Sequence, residues 1–207
     1  MREQSIHCEL ITWGQVYRLS RRVAGIIRGA GFKPDVVVAI ARGGYVPARL
    51  LCDFLDIYNL VSIRVAHYEA GARLTPQARL SSPLPIAIRD LEILLVDDVS
   101  DTGDTLALAI EHIASFAPAR IRVATLHHKQ VSPIIPDFFG QRILAWRWLV
   151  YPWAVMEDLS GFIARMSPQP DSAEQAVDQL KLKHGIDVPL RTAEDVLALV
   201  RQRRNSR

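Results

Sequence analysis

In Ile93-Leu-Leu-Val-Asp-Asp-Val-Ser-Asp-Thr-Gly-Asp-Thr105 an apolar run leads into two adjacent carboxylates and then into a turn rich in hydroxyls. A strand buried on both faces is continuously apolar and β-branched, so Ile93–Val96 predicts such a strand, with Asp97 and Asp98 at its end, facing a crevice. Ser100, Thr102, Gly103, Asp104 and Thr105 follow, just ahead of the helical pattern Leu106, Ile110, Ile113, Ala114. Hydroxyls and unpaired backbone N–H groups at a helix start attract phosphate, because the N–H dipoles add up there. Acids for sugar hydroxyls beside N–H groups for phosphate make a site for a phosphorylated sugar.

Two further clusters have residue types suited to the same chemistry. Ala41-Arg-Gly-Gly44 ends a second apolar run, Pro34–Ala41; Gly43 and Gly44 leave the backbone unobstructed beside the Arg42 guanidinium, an arrangement that suits a diphosphate. His127-His-Lys129 ends a third, and Trp146-Arg-Trp-Leu-Val-Tyr-Pro-Trp153 is an aromatic-rich segment downstream. Taken alone, a lysine after a strand is a solvated charge and a tryptophan in a strand belongs to the core.

The elements that must position these groups alternate. Thr12-Trp-Gly-Gln15 reads as a capping box, and Val16, Leu19, Val23, Ile26, Ile27 and Ala30 follow at helical spacing until Gly31. Strands are predicted at Pro34–Ala41, Leu60–Ala66, Ile93–Val96, Ile121–His127 and Trp146–Tyr151, with helices over Val46–Leu55 and about 103–116. This order gives an α/β fold, a mainly parallel sheet flanked by helices, whose ligands bind beyond the strand C-termini. Residues 68–85, with Gly71, three prolines, Arg73 and Arg79, show no sustained periodicity and read as a lid or an irregular insertion. Ser167–Ser172 reads as a linker, followed by helical patterns over Ala173–Lys183 and Ala193–Arg203. The predicted organisation is a main domain at 1–166, a linker at 167–172 and a small helical appendage at 173–207.

Composition narrows the function classes. The chain has 207 residues, 49% of them hydrophobic, enough for one sizeable core. No run approaches the roughly 18 apolar residues of a membrane span, and Met-Arg-Glu-Gln-Ser lacks a signal core, so the expectation is a cytoplasmic protein without membrane contact. Cys8 and Cys52 lack metal-ligand spacing, and Cys52 falls in an apolar pattern, as a packed thiol. The net charge of +3 is concentrated in Arg201-Gln-Arg-Arg-Asn-Ser-Arg207 and gives nucleic-acid binding little support.

Two hydrophobic residues, two acids, a spacer pair and Asp-Thr-Gly-x-Thr resemble the phosphoribosyl pyrophosphate motif of the type I phosphoribosyltransferases. Lys129-Gln-Val-Ser-Pro and Trp-Leu-Val-Tyr-Pro-Trp153 resemble the family's 6-oxopurine branch, of the xanthine–guanine and archaeal hypoxanthine or guanine kinds, over roughly residues 12–165. The resemblance implies Mg2+-dependent transfer of a 5-phosphoribosyl group from 5-phosphoribosyl 1-diphosphate to hypoxanthine, guanine or xanthine, in purine salvage. Asp97 and Asp98 would hold the ribose hydroxyls and the hydrated metal, and residues 100–105 the 5-phosphate. The diphosphate would lie on Arg42, Gly43 and Gly44, with a non-proline cis peptide near Arg42. Asp101 would handle the proton of the base, Lys129 would donate to its exocyclic oxygen, Trp148 would stack on it, and the Leu149 backbone would read its edge. His67, Tyr68, Arg73 and Arg79 would contact the donor from the lid.

One position departs from the family pattern. Ala154 follows Trp153 where relatives often carry a second metal-contacting acid, leaving Glu157, Asp158, or diphosphate and water to fill that role. A homodimer is expected, with Trp13, Phe138, Phe139 and Trp153 as apolar groups suited to contacts between copies. Two other readings stay open: a regulatory protein that senses the phosphoribosyl donor, and a phosphoribosyltransferase for another base.

Overall fold

Nearly uninterrupted apolar runs form the centre of the main sheet, because only a strand covered on both faces can bury every residue. The computed structural model describes residues 6–69 and 73–205, with the side chains of 66–78 outside that description. In chain order the elements are β1 (Cys8–Leu10), α1 (Trp13–Gly29), β2 (Val36–Ala41), α2 (Tyr45–Leu55), β3 (Leu60–Glu69), β4 (Arg73–Ser82), β5 (Glu92–Ser100), α3 (Asp104–Ala114), β6 (Arg120–Lys129), β7 (Phe138–Ile143), β8 (Trp148–Val150), α4 (Val155–Arg165), α5 (Ala173–His184) and α6 (Leu190–Asn205).

The chain divides into two compact units, one made of residues 13–67 and 75–146 and the other of the described residues before 13 and after 146, together with residues 68–69 and 73–74. In the first, six strands run in the order β4-β3-β2-β5-β6-β7. β2 pairs in parallel with β3 and β5, and β5, β6 and β7 continue in parallel, as the βαβ rhythm requires. Val23, Ala24 and Ile27 of α1 and Leu51 and Cys52 of α2 pack with Val37, Ala39, Leu94 and Val96 on one face. Leu106, Ala109 and Ile113 of α3 pack with Val38, Ile40, Ile93 and Leu95 on the other. Two helical layers around a parallel sheet confirm the predicted α/β class. Phe138 is 6% exposed and packs 6.0 Å from Phe32, so this ring belongs to the core and is unavailable to a partner copy.

In the second unit, β1 and β8 form a two-stranded parallel sheet with Cys8 opposite Trp148. Leu159, Phe162 and Ile163 of α4 share a core with Ala176 and Leu180 of α5 and Val196 and Leu197 of α6. The Ser167–Ser172 break lies within this unit. There Gln169 donates to the Ala164 carbonyl, and the Ser172 hydroxyl caps α5 by accepting from Gln175 N at 3.3 Å.

Residues 68–85 require a correction. The stretch read as lacking secondary structure is built mostly from strand: β3 continues to Glu69, and β4 occupies the sheet edge, where Ser81 Oγ donates to the Arg64 carbonyl. Pro76 hid this, since proline suppresses a strand prediction; an edge strand tolerates it because one side of its backbone has no ladder to complete.

Candidate active site

β2 is followed in the chain by β3 on one side, and β5 by β6 on the other, so the strand order reverses between β2 and β5. Such a switch point opens a crevice beyond the strand C-termini. β5 is longer than predicted: its ladder with β2 stops at Val96, but its pairing with β6 carries on through Asp97 to Ser100. The acid pair is therefore held from one side and open on the β2 side. Asp97 is 8% exposed and accepts the Asp98 backbone N–H at 2.9 Å. Burial, and then the charge of Asp98, push the Asp97 carboxyl well above the ordinary carboxylate range.

The glycine loop meets this pair from β2. A side chain at Gly43 would place its Cβ 2.3 Å from Asp98 Oδ2, and one at Gly44 would lie 2.4 Å from the Val96 carbonyl oxygen. At Gly44 the obstruction is backbone and leaves no room for a side chain, whereas at Gly43 it is the Asp98 carboxylate, which a side chain would displace. The Ala41–Arg42 peptide is cis, as the resemblance implied, and the Arg42 side chain is exposed.

Beyond β5 the chain turns at Gly103, with φ of 89°, and starts α3 without a side-chain cap. The helix thus begins directly at this turn, with a glycine at its N-cap. Thr102 Oγ1 donates to Asp104 Oδ2 at 2.7 Å, and Thr105 is partly buried. Ser100 has a structural part as well. Its side chain is buried, with its Oγ 2.7 Å from the Ser132 hydroxyl and 2.9 Å from the Ile134 carbonyl, so it also ties the turn to residues 132–134.

Asp101 and Lys129 come together although 28 positions apart. Lys129 Nζ donates to Asp101 Oδ2 at 2.7 Å, with the lysine 1% exposed. A buried ammonium and carboxylate tolerate desolvation only as such a pair. Trp146, which the sequence did not mark for a role, donates its indole N–H to Asp101 Oδ1 at 3.0 Å, and Lys129 Nζ lies 4.6 Å from the centre of its ring.

Trp148 and Leu149 belong to the second unit. Leu149 is buried on β8, and the Trp148 indole donates to Asp158 Oδ2 at 3.0 Å. Asp158, considered above as a metal contact, is buried and holds this ring; Glu157 is partly exposed beside it. Arg79 is exposed, while the side chains of His67, Tyr68 and Arg73 lie outside the described residues. No three acids, histidines or cysteines cluster as a preformed metal cage among the described residues. No helix among them is long and apolar enough to cross a membrane.

Comparison with known proteins adds an independent line. The model of the family described as "Phosphoribosyl transferase domain" matches residues 9–153. The chain is 33% identical over 153 residues to the xanthine-guanine phosphoribosyltransferase of Ruegeria sp. (strain TM1040), covering 69% of this chain and 83% of that protein. It is 30% identical over 147 residues to the bifunctional protein PyrR of Ralstonia nicotianae, covering 69% and 83%. Among solved structures, the purine phosphoribosyltransferase from Pyrococcus horikoshii Ot3 matches with a TM-score of 0.61 and 34% identity, covering 72% of this chain and 94% of that one.

Proposed function

Because the chain belongs to the phosphoribosyltransferase family, we propose that it is a purine-salvage enzyme transferring the 5-phosphoribosyl group of 5-phosphoribosyl 1-diphosphate to a 6-oxopurine: hypoxanthine, guanine or xanthine. The observation that carries the base assignment is the Asp101–Lys129 pair beside the acid pair and the glycine loop. A 6-oxopurine offers a carbonyl oxygen and a ring N–H side by side on one edge, a match for an ammonium next to a carboxylate. Adenine offers an amino group in place of the oxygen, and an ammonium cannot accept from it.

Placement supports the following roles. The N–H groups at the start of α3, with Thr102 and Thr105, receive the 5-phosphate, and Asp104 shapes the turn through Thr102. The Arg42, Gly43 and Gly44 loop receives the diphosphate, with the guanidinium countering the charge that builds as it leaves. Asp97 and Asp98 hold the ribose hydroxyls. These two also fit Mg2+, since burial and the Asp98 charge raise the proton affinity of Asp97 and a cation there would relieve both, and Mg2+ favours one or two carboxylates completed by water and substrate oxygens. When bound, Mg2+ supplies charge neutralisation at the diphosphate. The C1–N bond to the base forms as the C1–O bond breaks, the electron pair leaves on diphosphate, and Asp101 takes the ring-nitrogen proton. Trp148 stacks on the base, the Leu149 backbone reads its edge, and the segment carrying His67, Tyr68, Arg73 and Arg79 shields the donor from water. A second copy of the chain completes the functional particle as a dimer.

The test is steady-state kinetics on the three bases with saturating donor and Mg2+. Asp101→Asn keeps shape but cannot take a proton, so kcat should fall by about 10²–10⁴ with small changes in KM. A wild type inert on all three bases yet binding the donor tightly would instead support a donor-sensing protein.

A further inference from the structure

We propose that Trp146 is a positioning residue for Asp101: its indole N–H occupies Oδ1 and so leaves Oδ2 as the oxygen that takes the proton of the base. This role rests on the transferase reading given above. Asp101 is 8% exposed, and both of its oxygens are occupied, Oδ1 by Trp146 Nε1 at 3.0 Å and Oδ2 by Lys129 Nζ at 2.7 Å. Each oxygen keeps a second lone pair, but an N–H bonded to it lowers its basicity, so the oxygen whose partner leaves becomes the better proton acceptor. The incoming 6-oxopurine decides which. Its carbonyl oxygen is an alternative acceptor for the ammonium, so Lys129 can transfer to it and release Oδ2. The single carbonyl oxygen is taken by the ammonium, so the indole N–H, a donor only, keeps its bond to Oδ1 while the proton moves. From the ring nitrogen the proton passes to Oδ2 as the C1–N bond forms and diphosphate departs.

Packing does not account for this side chain. Trp146 lies between β7 and β8 and is 45% exposed, and its ring is absent from the buried clusters of its unit. What it contacts is the buried ion pair, one member through its N–H and the other across its ring face, 4.6 Å away. Held in this way, the carboxylate keeps one orientation through turnover, with Oδ2 directed to the base as Lys129 exchanges partners.

Trp146→Phe retains the ring and removes the donor. With the exposed position sparing the fold, kcat should fall on the order of 10-fold while KM for base and donor stays within about 2-fold, and Trp146→His, which restores an N–H, should recover part of the loss. In the wild type, the Trp146 indole proton, assigned by its disappearance in Trp146→Phe, should exchange with solvent more slowly than that of Trp13, which is 58% exposed. An unchanged kcat in Trp146→Phe, a rise in both KM values matching the fall in kcat, or exchange as fast as that of Trp13 would each overturn this role while leaving the transferase reading intact. A wild type inert on every base would overturn the transferase reading, and the role with it.

Discussion

Lys129 illustrates how burial changes the meaning of a side chain. At 1% exposure its ammonium is committed to Asp101, and in the proposed reaction the base must draw it away. A charge-assisted hydrogen bond contributes roughly 1.5–3 kcal/mol, so Lys129→Ala should lower kcat/KM for the base by about 10–100-fold and leave donor affinity unchanged. Calorimetry with donor and base separately checks this; equal losses for both would contradict the assignment. Asp97 gives a prediction of opposite electrostatic origin. Burial and Asp98 hold its carboxyl well above the ordinary range, so the folded protein binds this proton more tightly than the unfolded chain does. A raised folded-state pKa contributes stability below the unfolded value, which is lost as pH rises through the folded value. Metal-free protein should therefore lose stability as pH rises above the ordinary carboxylate range, and Asp97→Asn should flatten that slope and raise the neutral Tm, as read by thermal denaturation in chelator. Asp97 and Asp98 were legible from the apolar run and turn around them, and Asp101 and Lys129 only through the family resemblance. Trp146 and Ser132 were not: a bond between positions 45 or 32 apart leaves no local pattern.

Among the elements, β2, β5, β6 and α1 to α3 were readable because each buries a whole run or a whole stripe. β1 is three residues, too short for any periodicity, and exists through its ladder with β8, which lies within the strand predicted at Trp146–Tyr151. β7 contains Gly140, which argues against a strand by propensity; a Cβ there would lie 2.8 Å from the Leu126 carbonyl oxygen, so close packing on β6 demands the glycine. The α5–α6 pair supplies Ala176, Leu180, Ala193, Val196 and Leu197 to the core it shares with α4, and Arg203 donates to the Ser160 hydroxyl at 2.8 Å. Each large buried apolar side chain contributes about 1.5–3 kcal/mol, so deleting residues from Ser167 onward should abolish cooperative melting of this unit and expose dye-binding surface. Calorimetry showing an unchanged transition would remove the structural role given to these helices.

At the scale of the whole molecule, the expected dimer draws its support from the family and from aromatic surface on α1. Trp13 and Tyr17, one helical turn apart, are 58% and 52% exposed. Light scattering at micromolar concentration should give twice the 23.2 kDa of one chain, and a monomer would refute pairing. The parallel pairing of Cys8–Leu10 with Trp148–Val150 has a consequence for biosynthesis. The first strand leaves the ribosome long before its partner exists. At roughly 5–20 residues per second it waits about seven to thirty seconds, while the strands of the six-stranded sheet are made. Three residues expose little backbone to unwanted partners during that delay, so the brevity of β1 suits a strand that must remain unpaired until β8 has been made.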